Sequence, residues 1–140
     1  MPRKGGWELS NKSEGNAFET KLCSILAENG FWAHNFANRA EGQPADIIAV
    51  KNGLASLIDC KLCEKEYFRL DRIEENQETA MSRWNGCGNH FAYFAIRLAD
   101  GSTFMVPFRR MMDYKRKGLK SLKRRDLIEN LTLTQWMVLR

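Results

Sequence analysis

At 140 residues the chain is long enough for one domain with its own core, and 22 Lys and Arg against 17 Asp and Glu leave a net charge of +5 and a pI of about 9.2. That surplus favours a polyanionic partner, nucleic acid first. No apolar run approaches the roughly 20 residues that span a bilayer, and no apolar core follows the basic N-terminus. The composition therefore predicts a cytoplasmic or nuclear protein with no membrane partner, whose Cys23, Cys60, Cys63 and Cys87 are free thiols.

Residues 1–12 are basic, contain glycine and lack periodicity, and so read as a flexible arm preceding a single domain over 13–140. The first predicted helix starts at Ser13, a good N-cap, and stops at Gly30, with Phe18, Leu22, Ile25, Leu26 and Asn29 as its inner stripe. Glu19 borders that stripe. It is by default a solvated helix glutamate, or else a carboxylate carried to a sheet edge to complete a metal-water site. Residues 31–36 read as a strand in which His34 has no spaced partner, and a polar loop follows. Arg39 in that loop is either an ordinary exposed arginine or a phosphate contact.

Residues 43–62 carry the chemistry. Two apolar runs flank Asn52-Gly53, a strong hairpin signal, yet Asp46 heads the first run and Asp59 and Lys61 interrupt the second. Strand alternation puts Asp59 and Lys61 on one face and Cys60 on the other. Buried strands exclude such charges unless they are paired or bind a metal. Two carboxylates on neighbouring strands suit Mg²⁺, which prefers oxygen ligands and keeps several waters, and an ammonium beside them can steady charge on a phosphate. A surface hairpin with solvated charges has the same local sequence.

A second helix is predicted over 70–84, with Leu70, Ile73, Ala80, Met81 and Trp84 on its apolar stripe and Gln77 on the buried side. A buried amide needs polar partners, and Lys61 or a nearby backbone carbonyl would serve. Residues 91–98 and 103–106 read as a strand pair joined at Asp100-Gly101 and closed by Pro107. Over residues 109–125, Arg109, Arg110, Lys115, Arg116, Lys117, Lys120, Lys123, Arg124 and Arg125 stand against Asp113 alone, which fits a nucleic-acid surface better than a merely solvated face. Ser121 is placed to cap a short helix to Asn130, and residues 131–139 either form a strand or pack over the core. Cys60, Cys63, Cys87 and His90 spell an alternative Cys₃His zinc set, against which Cys60 lies within a strand pattern and no glycine follows Cys63.

Helix, three strands, helix, two strands is the order of an α/β protein with a mixed sheet flanked by helices on both sides. The chain resembles the PD-(D/E)xK nucleases and, within them, the RecU-like and archaeal-type Holliday junction resolvases. The likeness rests on Gly15-Asn16-Ala17-Phe18-Glu19, Gly30-Phe31-Trp32-Ala33, Pro44-Ala45-Asp46-Ile47-Ile48-Ala49, Asp59-Cys60-Lys61, Gln77, the aromatic strand at 91–96, Val106-Pro107 and Lys120-Ser121-Leu122-Lys123-Arg124. It departs in the alanine between Pro44 and Asp46, in Asp59 where glutamate is commoner, and in a loop before Pro44 too short for the RecU-like stalk. The resemblance implies a restriction-endonuclease-like core and a catalytic set of Glu19, Asp46, Asp59 and Lys61 supported by Gln77. It also implies metal ligation by Asp46, Asp59 and Glu19 with Mg²⁺, for which Mn²⁺ can substitute. The implied working form is a homodimer making paired nicks in four-way DNA junctions, in a bacterial or phage-infected cytoplasm or on the nucleoid. Apolar material at Trp7, Trp136 and residues 131–139 is the candidate dimer surface. A nuclease for other branched or duplex DNA, and a non-catalytic DNA-binding module, zinc-dependent or metal-free, are the alternatives.

Overall fold

The computed structural model describes residues 4–36 and 43–140, with residues 4–13 as backbone. Its centre is a six-stranded mixed sheet built from β1 (Trp32–Asn35), β2 (Ile47–Lys51), β3 (Leu54–Leu62), β5 (Ala92–Arg97), β6 (Thr103–Pro107) and β8 (Leu131–Thr132), in that spatial order. All neighbours are antiparallel except β3 and β5. That parallel pair needs a crossover, and α2 (Glu75–Gly86) supplies it. A two-stranded sheet of β4 (Tyr67–Arg69) and β7 (Ser121–Lys123) lies outside the main one. The remaining elements are α1 (Lys4–Glu28), α3 (Phe108–Arg116), α4 (Arg124–Leu127) and α5 (Leu133–Leu139).

Period-2 alternation divides the sheet residues between two cores. Ile47, Ala49, Ile58, Ala95 and Met105 face α1 and α5, where Phe18, Leu22, Leu26 and Trp136 cover them. Leu57, Phe94, Ile96, Phe104 and Val106 face the other way, onto Met81 of α2, Met111 and Tyr114 of α3, Phe68 of β4 and Leu122 of β7. Each large side chain buried in this way contributes about 1.5–3 kcal/mol. The β2–β3 connection is the two-residue turn expected at Asn52-Gly53: both residues have positive φ, 53° and 76°, which matches a type I′ turn. Gly30, at φ 86°, ends α1, with the Phe31 amide donating back to the Leu26 carbonyl.

Several boundaries differ from those predicted. Helix α1 begins at Lys4 rather than Ser13; residues 4–12 lack an apolar stripe, but no proline lies among them and Trp7-Glu8-Leu9 is compatible with helix. The second helix starts at Glu75, because Ile73 and Glu74 are extended and residues Leu70–Arg72 form a separate 3₁₀ turn. Ser121 opens β7 rather than capping a helix, since the Phe68↔Leu122 pairing draws it into the small sheet. Residues 131–139 divide between β8 and α5, where Thr132 caps the helix by accepting from the Gln135 amide. Trp136 is interior, 2% exposed and stacked on Phe31 with ring centroids 5.3 Å apart, so it offers no interface. Asn29, expected on the inner stripe of α1, is exposed and donates to the Ile25 carbonyl.

Candidate active site

The β2–β3 register pairs Ile47 with Ile58, so Asp46, one residue before β2, lies across from Asp59 where the ladder ends. Two bonds fix the Asp46 backbone: its amide donates to the Ile58 carbonyl at 3.1 Å, and its carbonyl accepts from the Phe36 amide at 2.9 Å. Its Oδ2 accepts from the Cys60 amide at 2.7 Å. Ala45, the extra residue after Pro44, fills a buried position.

Asp59 and Lys61 share the face of β3 that carries Leu57, while Cys60 turns to the α1 side. Past the end of the β2 ladder Asp59 and Lys61 pair with Phe94 and Ile96 of β5, and both charges are nearly sealed off, Asp59 at 0% and Lys61 at 8% exposure. Lys61 Nζ is 3.2 Å from Asp59 Oδ2. Gln77, in the first turn of α2, holds them together: its Nε2 donates to Asp59 Oδ1 at 3.1 Å, and its Oε1 accepts from Lys61 Nζ at 3.0 Å and from the Glu74 amide at 3.1 Å. The half-buried amide thus finds its partners in Lys61 and Asp59.

Glu19 reaches the same cluster from α1. Burial and then the Asp46 carboxylate beside it raise its pKa to about 7, with Lys61 opposing. Burial raises Asp59 to about 8, against the pull of Lys61 and with a push from Asp46. The Cys60 thiol is also pushed well above its ordinary value, by burial and by Asp46, Asp59 and Glu19. Asp46 repels both Glu19 and Asp59, and carboxylates crowded in this way form an environment that a cation would relieve.

Among the described residues no group of three or more His, Cys, Asp or Glu side chains is arranged to hold a metal ion. The zinc alternative fails on placement, since Cys60 and Cys63 pack into opposite cores and Cys87 is exposed. A divalent ion held by two carboxylates and its own waters makes a smaller demand. Asp59 Oδ2, buried and met by the Lys61 ammonium at 3.2 Å, and Asp46 across from it supply oxygen donors of that kind. The residues present fit Mg²⁺ in this sense.

A cavity of about 490 Å³ adjoins Glu19 and Cys60. Its outer wall carries Lys65, Tyr67, Arg69 and Arg72, none of them singled out from the sequence. Lys65-x-Tyr67-x-Arg69 alternates with period 2, and that alternation was the available signal for a cationic strand face.

The basic segment divides in two. Arg124 pairs with Glu66 and Asp100 at 2.9 and 2.6 Å, Lys115 pairs with Glu78 at 2.8 Å, and Arg116 pairs with Asp113. Arg110 donates to the Glu129 carbonyl and to Asn130 Oδ1, and Arg109 lies 2.9 Å from His90 Nδ1. Lys117, Lys120, Lys123 and Arg125 are exposed, with no side-chain partner among the described residues. Arg39 lies outside the described residues.

No described helix is long and apolar enough to cross a membrane. The family described as archaeal Holliday junction resolvase (hjc) matches residues 10–137. Comparison with curated protein sequences gives no match. Among solved structures, the Holliday junction resolvase Hjc of Archaeoglobus fulgidus, an archaeal hyperthermophile, superposes with a TM-score of 0.64 at 20% identity, over 89% of this chain and 96% of that one. The shared fold is the restriction-endonuclease-like one: a mixed sheet with helices on both faces. The family is archaeal and lends no support to a bacterial or phage setting. By its match over nearly its whole length, the chain belongs to the archaeal Holliday junction resolvase family.

Proposed function

We propose that this chain is a Mg²⁺-dependent endodeoxyribonuclease that acts as a homodimer and resolves four-way DNA junctions by paired, symmetric nicks. The observation that carries the reading is the cluster at the open end of β2 and β3. Asp46 faces Asp59 there, Lys61 is 3.2 Å from Asp59, and Gln77 binds both members of that pair. A structural ion pair would not need a second aspartate and a glutamate crowded against it.

Asp46 and Asp59 are the residues that would hold the ion, with Glu19 at its side. When bound, Mg²⁺, or Mn²⁺ in its place, offsets charge on the phosphate and makes water a better nucleophile. The chain's own residues do the rest. Lys61 presents a fixed ammonium to the charge that develops on the phosphate oxygens, and Gln77 prevents it from collapsing onto Asp59 alone. Glu19, carried to the cluster by α1 beside Asp46, is placed to take a proton from the attacking water at its carboxylate. Lys117, Lys120, Lys123 and Arg125 are the cations of the basic segment left free for phosphate.

Twofold pairing of two such sites suits a junction of near-twofold symmetry. Exposed apolar side chains, including Trp32, Ile128, Val138 and Leu139, and an apolar groove of about 1150 Å³ bordered by Phe36, Ile48 and Trp84 support association of two copies. The test is Mg²⁺-dependent cutting of a labelled junction by the native protein, Asp46→Asn and Asp59→Asn. Both variants should lose cutting while still binding DNA. Near-native cutting by both would remove the site assignment.

A further inference from the structure

Arg72, the last residue of the 3₁₀ turn Leu70–Arg72, carries a charge that no carboxylate among the described residues neutralises. Its Nη1 donates to the Leu62 carbonyl at 3.0 Å and to Cys63 Sγ at 3.7 Å, and its guanidinium carbon lies 5.6 Å from the Phe68 ring centroid. Cys63 and Phe68 are buried. The guanidinium is therefore anchored by a carbonyl, a thiol and a ring, and much of its rotamer freedom is lost before any ligand arrives. The two contacts use both hydrogens of Nη1. What remains is the edge formed by Nε–H and Nη2–H, two parallel donors at the spacing of two phosphate oxygens.

Arg72 lines the cavity that Glu19 and Cys60 also line. Glu14 and Glu64 lie on its wall as well, but neither is within ion-pair distance of Arg72. An anchored, unneutralised guanidinium beside an acidic cluster cannot serve to hold that cluster together, since it touches none of its members. It can serve to bring a polyanion up to carboxylates that would otherwise repel it.

We propose that Arg72 is a positioning residue that grips a backbone phosphate of the cleaved strand, other than the scissile one, in bidentate fashion. The inference rests on the nuclease reading above and adds to it a phosphate subsite on the β4 side of the cleft. Two variants of this largely exposed side chain test it. Arg72→Met keeps the stem on Phe68 and removes the charge; Arg72→Lys keeps the charge and removes the fork. DNA affinity is measured against salt without Mg²⁺, and the single-turnover cutting rate is measured at saturating DNA with Mg²⁺.

Arg72→Met should lower the slope of log K against log salt by about 0.9 and the saturating rate by roughly 10- to 100-fold, with its melting temperature close to native. Arg72→Lys should recover the slope but not the rate. A native slope and rate in Arg72→Met would overturn the proposal, as would full recovery of the rate by lysine, which would leave no role for the fork. Failure of the native protein to cut any DNA would instead remove the nuclease reading, and the salt slope would still decide whether Arg72 meets phosphate.

Discussion

Gln77 is the residue whose loss can be worked out most fully from the structure. Replacing it with alanine removes three hydrogen bonds: one to Asp59 Oδ1, one from Lys61 Nζ and one from the Glu74 amide. Two of these reach the Lys61 ammonium and the Asp59 carboxyl, with little solvent to replace the lost partner, since Asp59 is 0% and Lys61 8% exposed. A hydrogen bond to a charged group contributes about 1.5–3 kcal/mol net. The two are coupled through one amide, and water admitted by the smaller side chain recovers part of the loss. Gln77→Ala should therefore destabilise the metal-free protein by about 3 kcal/mol, a fall of roughly 10 °C in melting temperature for a domain of this size. Freed from Oε1, Lys61 should settle onto Asp59, and a displacement of about 1 Å at a catalytic group costs on the order of 100-fold in rate. Gln77→Glu separates the two effects: it keeps acceptors for Lys61 and for the Glu74 amide but exchanges the donor to Asp59 for a second carboxylate. It should be tolerated at pH 5 and become destabilising towards pH 8, as carboxylates there ionise against one another. Urea unfolding in EDTA and single-turnover cutting with Mg²⁺ measure the two consequences. A Gln77→Ala protein within about 0.5 kcal/mol of native that cuts at the native rate would refute the reasoning.

Other predictions follow from the same geometry. Asp59 holds its proton to about pH 8 when folded, against an ordinary value of 3.8, so between those limits the folded state binds more protons than the unfolded one and stability contributed by this group is lost as pH rises. The stability of the metal-free native protein should therefore fall relative to Asp59→Asn between pH 5.5 and 8; parallel pH profiles in chemical denaturation would contradict this. Trp136→Ala should cost about 3–5 kcal/mol by opening a cavity against Phe31 and Tyr93. Its melting temperature should change with protein concentration no more than the native protein's does, because Trp136 lies in the core. Replacing Lys120, Lys123 and Arg125 with alanine should lower the salt slope of DNA binding by up to roughly 0.9 per lost phosphate contact, whereas Arg124→Ala, which removes two intramolecular ion pairs, should leave the slope unchanged.

The parts of the fold legible in the sequence were those set by short-range rules. Asn52-Gly53 flanked by alternating runs can hardly be anything but a hairpin, and once that register is fixed, Asp46 must face Asp59. Gln77 was legible because an amide on an apolar helix stripe needs a polar partner, and Lys61 was near enough to be named. The small sheet was not legible. Its strands, β4 and β7, are three residues each and lie more than 50 residues apart, and no local rule names either as the other's partner. Charge counts likewise could not show which cations would be used internally: Arg124 looked like part of a phosphate-binding run, but folding brings Glu66 and Asp100 to it. Trp136 looked like interface material because a lone tryptophan in a short apolar segment gives no sign of which side it faces until α5 packs on Phe31 and Tyr93.

The central claim is that the acids at the end of β2 and β3 cut junctions by metal-dependent paired nicking. It is tested most directly with a synthetic four-way junction, each strand labelled in turn, incubated with the native protein and Mg²⁺ beside flap and linear duplex DNA of the same arm sequences and an excess of linear competitor. The account predicts cuts at symmetry-related positions in two opposed strands near the branch point, made by a species of twice the chain mass and absent when EDTA replaces Mg²⁺. Equal cutting of the linear duplex, or cutting that persists in EDTA, would contradict it.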